Sequence, residues 1–220
     1  MPDIDASLDA LYDAARAVRT RHAEIAATPD RRALADALAR HAKAATQMAD
    51  AAEAEVRLAR VTALLGEIDN SPAAIDTLFD ILGSEHPEAR VLAGEVLEGI
   101  AFDRFKEVAL GVERALERLP AGNPALSELP YLLAEVGEPG CLKLLGRFLA
   151  HADPEAVSAA IEAIAELGDP AGAALLRPLL GDGRQVEIDD DGESGLVSIG
   201  ALAEEASELL GEVARVRSRK

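Results

Sequence analysis

The sequence predicts an all-α protein built as a stack of helical hairpins, an α-solenoid. Of its 220 residues 49% are hydrophobic, yet only 3% are aromatic and none is Trp. A core must then be built from Ala, Leu, Val and Ile, whose size lets helices approach closely. Apolar residues recur at three- and four-residue steps, the spacing of one buried helical stripe. An example is the run Phe102, Phe105, Val108, Val112, Leu116 and Leu119.

Proline marks where helices begin, because it fits the first turn of a helix and breaks the interior. Most prolines at such positions follow a residue that can cap exposed N–H groups. These prolines are Pro29, Pro72, Pro87, Pro124, Pro139, Pro154 and Pro170. The predicted helices span residues 4–27, 30–49, 51–67, 72–83, 87–100, 102–119, 124–137, 139–150, 154–167, 170–181 and 199–216. Since neither Pro nor Gly occurs between Asp30 and Leu65, one long helix is an alternative to a break near Asp50.

Three segments repeat one pattern of an acidic start, a small or branched residue, and apolar positions about four and eight residues further on. They are EVRLARVTALLGEI (55–68), EARVLAGEVLEGI (88–100) and EAVSAAIEAIAELG (155–168). Arg57 follows Val and Arg90 follows Ala at the start of the first two segments. With these pairs the chain resembles the HEAT-repeat family, in which the second helix of each hairpin opens in this way and ends in Leu or Ile beside Gly.

The resemblance extends over roughly residues 30–216 and implies about five stacked hairpins. Segments 74–82, 141–149 and 173–180 are similar to the first helix of a hairpin, and Pro178 matches a proline often found inside that helix in the family. The pair over 102–137 departs from the pattern, because it lacks the Val-Arg opening.

The domain organisation follows from the repeats. Residues 1–28 are predicted to form a capping helix, since a terminal repeat has only one neighbour, and residues 29–216 form the array. A basic tail follows at 217–220. In the last hairpin the turn expands into an acidic insertion at 182–197, and insertions in repeat proteins map to loops on one face.

The insertion reads as a β-hairpin. Val186 and Ile188 alternate with polar residues, as do Val197 and Ile199, and Asp191-Gly192 offers a tight turn between them. Its acidic residues are Glu187, Asp189, Asp190 and Asp191, which we expect to face solvent. This order resembles the start of an EF-hand calcium loop, but the twelfth position would be Ser198 in place of the bidentate Glu, so we favour a solvated turn without metal.

Catalytic and cofactor motifs are missing from the sequence. The four histidines His22, His41, His86 and His151 lie far apart and form no HExxH pair, and His86 and His151 are interpreted as turn residues. Cys141 is interpreted as a buried, inert thiol, because free Cys is among the most buried residue types. A phosphate-binding loop and a GxSxG elbow are absent as well. We therefore expect no enzymatic activity and no cofactor.

The charge favours a basic protein partner. The net charge is −18, with 9 basic and 10 acidic residues over 1–60 against 13 and 30 over 61–220. Such a field repels nucleic acids and anionic lipid and attracts basic proteins. The sequence has no run of about 18 apolar residues and no signal-peptide pattern, and its lone cysteine suits a reducing compartment, so we expect a cytoplasmic protein outside membranes.

The second helices of stacked hairpins line the concave surface, so their non-core positions are candidate partner contacts. Those positions carry Arg57, Arg90, Glu162, Glu166, Glu204, Glu205, Glu208 and Glu212. One interpretation is an acidic face that is only solvated. The other is a groove whose acidic C-terminal half receives a basic segment of a protein partner, with the insertion forming one wall.

These observations favour a non-catalytic protein–protein interaction module, an adaptor or scaffold. Two alternatives stay open. The first is an acidic inhibitor of the immunity type that neutralises a basic toxin or nuclease by occupying its substrate cleft. The second is an enzyme or chaperone of the bilin-lyase type, because those proteins are also similar to HEAT arrays, although few aromatic and His residues are present to hold a tetrapyrrole.

Overall fold

The computed structural model describes residues 3–68, 71–190 and 193–217, and its described part is predominantly helical. The helices and strands are α1 (Ile4–Ala26), α2 (Arg31–Ala45), α3 (Ala51–Glu67), α4 (Pro72–Leu82), α5 (Pro87–Arg118), α6 (Ala125–Val136), α7 (Cys141–Phe148), α8 (Pro154–Leu167), α9 (Gly172–Leu176), a 3₁₀ turn (Arg177–Leu179), β1 (Gln185–Asp190), β2 (Glu193–Ser198) and α10 (Ile199–Arg217). The predicted all-α class with a small β-hairpin is confirmed.

Helix starts follow the local capping chemistry. Pro72, Pro87 and Pro154 occupy the first turns of α4, α5 and α8, as predicted. The Asp50 carboxylate accepts a hydrogen bond from the Glu53 backbone N–H at 3.1 Å and caps α3. The stretch from Asp30 to Leu65 is therefore two helices, with the break near Asp50.

The other predicted prolines lie just outside helices. Pro29 precedes Asp30, whose carboxylate caps α2 at 2.9 Å from the Ala33 backbone nitrogen. Pro124 immediately precedes α6. Pro139 lies two residues before the start of α7, and Pro170 lies two residues before the start of α9.

Three predicted helices are shorter than expected. The helix predicted at 30–49 ends at Ala45 in α2. The one predicted at 139–150 begins only after Gly140, which has a φ of 115° that other residues rarely adopt. The one predicted at 170–181 contracts to α9 and the 3₁₀ turn, because Pro178 has no N–H to continue the α-helical ladder.

Helix α5 contains the break that the sequence predicted, at a later position. Two helices were expected over 87–100 and 102–119. Two helical segments are found, but the break between them lies at Arg104, whose φ of −144° and ψ of 53° are not helical. The bend changes which side chains face the core. Phe102, predicted to be buried, is 55% exposed, whereas Val108 and Val112 after the bend are fully buried.

The helices pair into five consecutive hairpins. The part of α5 before the bend belongs to the second hairpin, and the part after the bend belongs to the third. The pairs are α2 with α3, α4 with residues 87–103, residues 105–118 with α6, α7 with α8, and α9 with α10. The second helices form one layer, in which α3, the first part of α5, α6, α8 and α10 follow one another in that order. The first helices form the other layer, and a core of Leu, Ile, Ala, Val and two Phe side chains fills the space between them.

Helix α1 stands apart from this core. None of its residues is buried, and it contacts the array mainly where its last turns meet α3. There the His22 Nε2 atom lies 2.8 Å from the Glu67 Oε1 atom. The cover that a capping helix would give to the first hairpin is therefore limited to these last turns.

The insertion is an antiparallel β-hairpin, as predicted, with register from Gln185 opposite Ser198 to Asp190 opposite Glu193. Val186 is buried against the array. Ile199, predicted to alternate within the second strand, is instead the first residue of α10. The predicted turn at Asp191-Gly192 lies outside the described residues.

Hydrogen bonds hold the base of the insertion. The Gly200 N–H donates to the Asp182 carbonyl oxygen at 2.9 Å. A larger residue would not fit at this position, because its Cβ atom would lie 2.9 Å from the Leu180 carbonyl oxygen. Arg184 donates to the Asp182 carboxylate at 2.7 Å and to the His151 carbonyl oxygen at 2.8 Å. Hydrogen bonds from the Arg184 side chain lower the pKa of Asp182.

The Arg184–Asp182 pair predicts a pH-dependent contribution to stability. Replacing Arg184 with Gln is expected to lower the free energy of unfolding at pH 7 by about 1 kcal/mol, a modest value because the arginine side chain is 34% exposed. The folded-state pKa of Asp182 lies below its unfolded value, so the stabilisation is fully present above about pH 4 and is lost as the pH falls through the folded pKa.

Urea unfolding of both proteins over a series of pH values measures this effect. Arg16→Gln is the matched control, since the Arg16–Asp13 pair is highly exposed, and it should change stability by less than about 0.5 kcal/mol. A wild-type advantage over Arg184→Gln that persists undiminished at pH 2 would contradict the assignment.

Candidate functional site

A groove of about 460 Å³ runs between α8 and α10 in the layer of second helices. Its apolar surface comes from Ile161, Ala165, Leu202, Ala206 and Leu209. Its acidic surface comes from Glu162, Glu205, Glu208 and Glu212. We call this site the acidic groove.

The spacing of these residues explains how the acidic groove forms. Glu205, Glu208 and Glu212 recur at three- and four-residue steps, so they lie along one side of α10. Leu202 and Leu209 follow the same side, and Leu209 stays 49% exposed. None of the described residues that line the groove is Lys or Arg, so it combines uncovered apolar surface with four carboxylates.

A hydrogen bond joins the acidic groove to the neighbouring helix α6. The Tyr131 hydroxyl donates to the Glu162 Oε2 atom at 2.6 Å. Partial burial raises the pKa of Tyr131, and the hydrogen bond to Glu162 and the charges of Glu128 and Glu166 raise it further. The hydroxyl therefore stays protonated at neutral pH and fixes the position of the Glu162 carboxylate.

The predicted arginine contacts lie elsewhere. Arg90 donates to the Glu128 Oε1 atom at 2.9 Å, which links α5 to α6. Arg57 donates to the Glu53 Oε1 atom at 2.7 Å within α3. Arg57 also lines an apolar groove at the opposite end of the array, beside Ile25 of α1. Both guanidinium groups are thus engaged in ion pairs away from the acidic groove.

The predicted glutamates divide into two groups. Glu162, Glu205, Glu208 and Glu212 line the acidic groove together. Glu166 is exposed on α8, close enough to Tyr131 to affect its pKa but outside the groove lining. Glu204 is exposed on an adjoining side of α10 and does not line the groove either.

Sequence reasoning missed the contribution of α6. Tyr131 and Glu128 extend the acidic surface from α8 towards Arg90. The available signal was that Tyr131 is one of only two tyrosines in the chain. The 102–137 pair lacks the repeat motif that marks the other second helices, so the sequence pattern does not identify α6 as one of them.

The described residues of the insertion lie beside the start of α8. None of them lines the acidic groove, so they do not form the predicted wall of that groove. Glu187 is exposed beside α8 and faces Glu155, whose pKa is raised by burial first and then by the charges of Asp153 and Glu187. The side chains of Asp189 and Asp190, and the whole of Asp191, lie outside what the structure describes. Among the described residues, no group of three His, Cys, Asp or Glu side chains has an arrangement that would hold a metal ion.

Cys141, His86 and His151 lie outside the acidic groove, in the core or in turns between helices. Cys141 is 1% exposed, and burial raises the pKa of its thiol, so the predicted burial is confirmed. His86 precedes α5 in a turn, and the His151 Nδ1 atom accepts a hydrogen bond from the Asp153 N–H at 3.2 Å in the matching turn before α8. Within the described ranges, no helix has the length and apolar character needed to cross a membrane.

Comparison with known proteins gives one family match. The family model for HEAT repeats matches residues 130–188, which run from α6 into β1. No curated protein matches the chain. Similar solved structures include two crystal structures of engineered proteins from the Northeast Structural Genomics Consortium.

One of these engineered proteins is 17% identical, with 88% of this chain and 96% of that chain covered and a TM-score of 0.35. The other is 19% identical, with 86% and 89% covered and a TM-score of 0.35. The helical array is seen directly in the helices of this chain, and residues 130–188 are the segment that matches the HEAT-repeat model.

Proposed function

We propose that this chain, a helical array whose residues 130–188 are HEAT repeats, is a non-catalytic adaptor or scaffold that binds a basic segment of a protein partner in the acidic groove. The observation that supports this proposal is that four glutamates line one groove together with partly exposed apolar side chains. These glutamates are Glu162, Glu205, Glu208 and Glu212. An apolar surface bordered by charged side chains is typical of grooves that bind peptides.

The chemistry of the groove defines the segment that fits it. Carboxylates form their strongest hydrogen bonds with Arg and Lys, and Arg can bind one carboxylate with two parallel hydrogen bonds. The exposed part of Leu209 would contact an apolar side chain of the same segment. We therefore propose a segment in which basic residues flank at least one apolar residue, steered towards the groove by the net charge of −18.

The proposal includes a cytoplasmic location and the absence of a catalytic role. The single cysteine is free and buried, which suits a reducing compartment. The described residues that line the groove offer carboxylates, which accept hydrogen bonds, and apolar side chains. Among them, no nucleophile lies beside a base that could activate it.

Charge-neutral variants of the groove test the proposal. In a Glu205→Gln, Glu208→Gln, Glu212→Gln triple variant, affinity for the partner is expected to fall about 10-fold at low salt, because each exposed ion pair contributes a few tenths of a kcal/mol or more. The loss should shrink as salt rises, since screening weakens the wild-type attraction. Partners are first captured by affinity purification with mass spectrometry, and the basic segment of a captured protein is then titrated by fluorescence anisotropy.

A charge-matched triple variant is the control. Glu85, Glu95 and Glu107 are exposed and lie outside the groove, so replacing them with Gln changes the net charge equally. Glu204→Gln against Glu208→Gln makes a finer comparison within α10. Equal binding by the groove triple variant and the control triple variant would contradict the proposal.

A further inference from the structure

The exposed face of α1 carries a complete heptad pattern. Its apolar or core-type residues alternate between four- and three-residue steps, which is the 3.5-residue period of a coiled-coil seam. They are Ile4, Leu8, Leu11, Ala15, Val18, His22 and Ile25. Ile4 is 64% exposed and Leu11 is 62% exposed, so this part of the seam has no partner among the described residues.

Most of this seam extends beyond the array. His22 contacts Glu67, the last residue of α3, and Ile25 lies in the same groove as Leu64 of α3. The earlier residue of α1, His22, therefore lies beside the later residue of α3, Glu67. Because the residue order is opposite in the two helices, they run antiparallel there. The 18 residues of α1 before His22 project past the end of α3 by about 27 Å at 1.5 Å per residue.

Charge is divided along the projecting helix. The first half carries Asp3, Asp5, Asp9 and Asp13, and the second half carries Arg16, Arg19 and Arg21. A parallel pair of such helices would place like charges together. An antiparallel pair would place the acidic half of each helix beside the basic half of the other, which is the arrangement that sets partner and orientation in coiled coils.

We propose that two copies of this chain associate through an antiparallel pair of α1 helices. In the register that leaves Ile25 in its groove beside α3, Leu8 packs against Val18 of the second copy and Leu11 packs against Ala15 of the second copy. The small Ala15 side chain lets the helices approach closely at the centre. His22 remains with Glu67 at the edge of this contact.

The same register aligns the charges that flank the seam. Asp5 and Arg19 occupy equivalent flanking positions, one residue after Ile4 and Val18, and flanking positions of this kind face each other in an antiparallel pair. Within the described part of the chain, neither side chain forms an ion pair. Pairing the copies gives each Asp5 an Arg19, twice per dimer.

Sedimentation velocity of the full chain over a range of concentrations tests the proposal. The wild type is expected to shift from monomer to dimer as its concentration rises. A Leu8→Glu, Leu11→Glu double variant should weaken this association by at least about 100-fold, because it places four carboxylates of the dimer in the seam. Since both leucines are exposed in the single chain, circular dichroism and the thermal midpoint should stay unchanged.

Charge exchange tests the orientation. Asp5→Arg alone and Arg19→Asp alone should each weaken the dimer, because like charges then face each other, whereas the two changes combined should restore it. Val91→Glu is the control for an exposed apolar residue, 65% exposed on α5, and should leave association unchanged. A wild type that stays monomeric at the highest concentration, or a dimer that the double charge exchange does not restore, would overturn the antiparallel α1 pair.

Failure of this proposal leaves the acidic groove untouched, because α1 and the groove lie at opposite ends of the array. A variant that loses association through α1 should still bind the basic segment. The two proposals are therefore tested independently.

Discussion

Replacing Phe79 with Ala is expected to lower the free energy of unfolding by about 3–5 kcal/mol. Phe79 lies on α4 and is fully buried between the two helix layers. Its ring packs against Gly111 of α5, where a Cβ atom would lie 3.1 Å from the Phe79 Cε2 atom and 2.5 Å from Ile75. The backbones of α4 and α5 thus approach closely around the ring, and removing it leaves a cavity that the stacked helices cannot fill without moving.

Urea unfolding followed by circular dichroism measures this loss. Phe102→Ala removes the same atoms from a side chain that is 55% exposed on α5, so it should cost less than about 1 kcal/mol. Equal destabilisation by the two changes would contradict the placement of Phe79 in the core and of Phe102 at the surface.

The helices whose ends depend on local chemistry were the ones that the sequence predicted well. The first turns at Pro72, Pro87 and Pro154 and the cap at Asp50 involve residues within four positions of one another. The sequence predicted the break within α5 but not its position at Arg104, because neither Gly nor Pro marks that residue and the bend serves the packing of two different hairpins. Its position decides that Phe102 faces solvent, which periodicity alone could not show.

The acidic groove was predictable in part for the same reason. Helical spacing places Glu208 and Glu212 on one side of α10, but whether Glu204 or Glu205 joins them depends on how α10 rotates against α8. That rotation is set by contacts between distant residues, such as Gly172 with Ile164 and Leu210. The Tyr131 to Glu162 hydrogen bond joins residues 31 positions apart and is likewise a property of the stacked helices.

Contacts between successive hairpin turns are a second source of stability that the repeat motif did not reveal. The Asp153 carboxylate caps α8 at 3.1 Å from the Glu155 nitrogen and also accepts a hydrogen bond from the Gly122 N–H of the preceding hairpin at 2.7 Å. At the start of α5 in the second hairpin, the Ala89 N–H donates to the Glu55 carboxylate of α3 in the first hairpin at 2.9 Å. A carboxylate therefore ties each of these helix starts to the hairpin before it.

Replacing Asp153 with Ala is expected to lower the free energy of unfolding by about 2–4 kcal/mol. Asp153 is only 4% exposed, and the change removes two charge-assisted hydrogen bonds while leaving the Gly122 N–H without its acceptor. Asp50→Ala is the matched control, because the Asp50 carboxylate is exposed and caps only its own helix, so about 1 kcal/mol is expected there. Urea unfolding of both variants separates the two contributions: the excess loss in Asp153→Ala measures the tie between hairpins. If the two variants lose the same stability, the contact with Gly122 contributes nothing and the hairpins are held together by the apolar core alone.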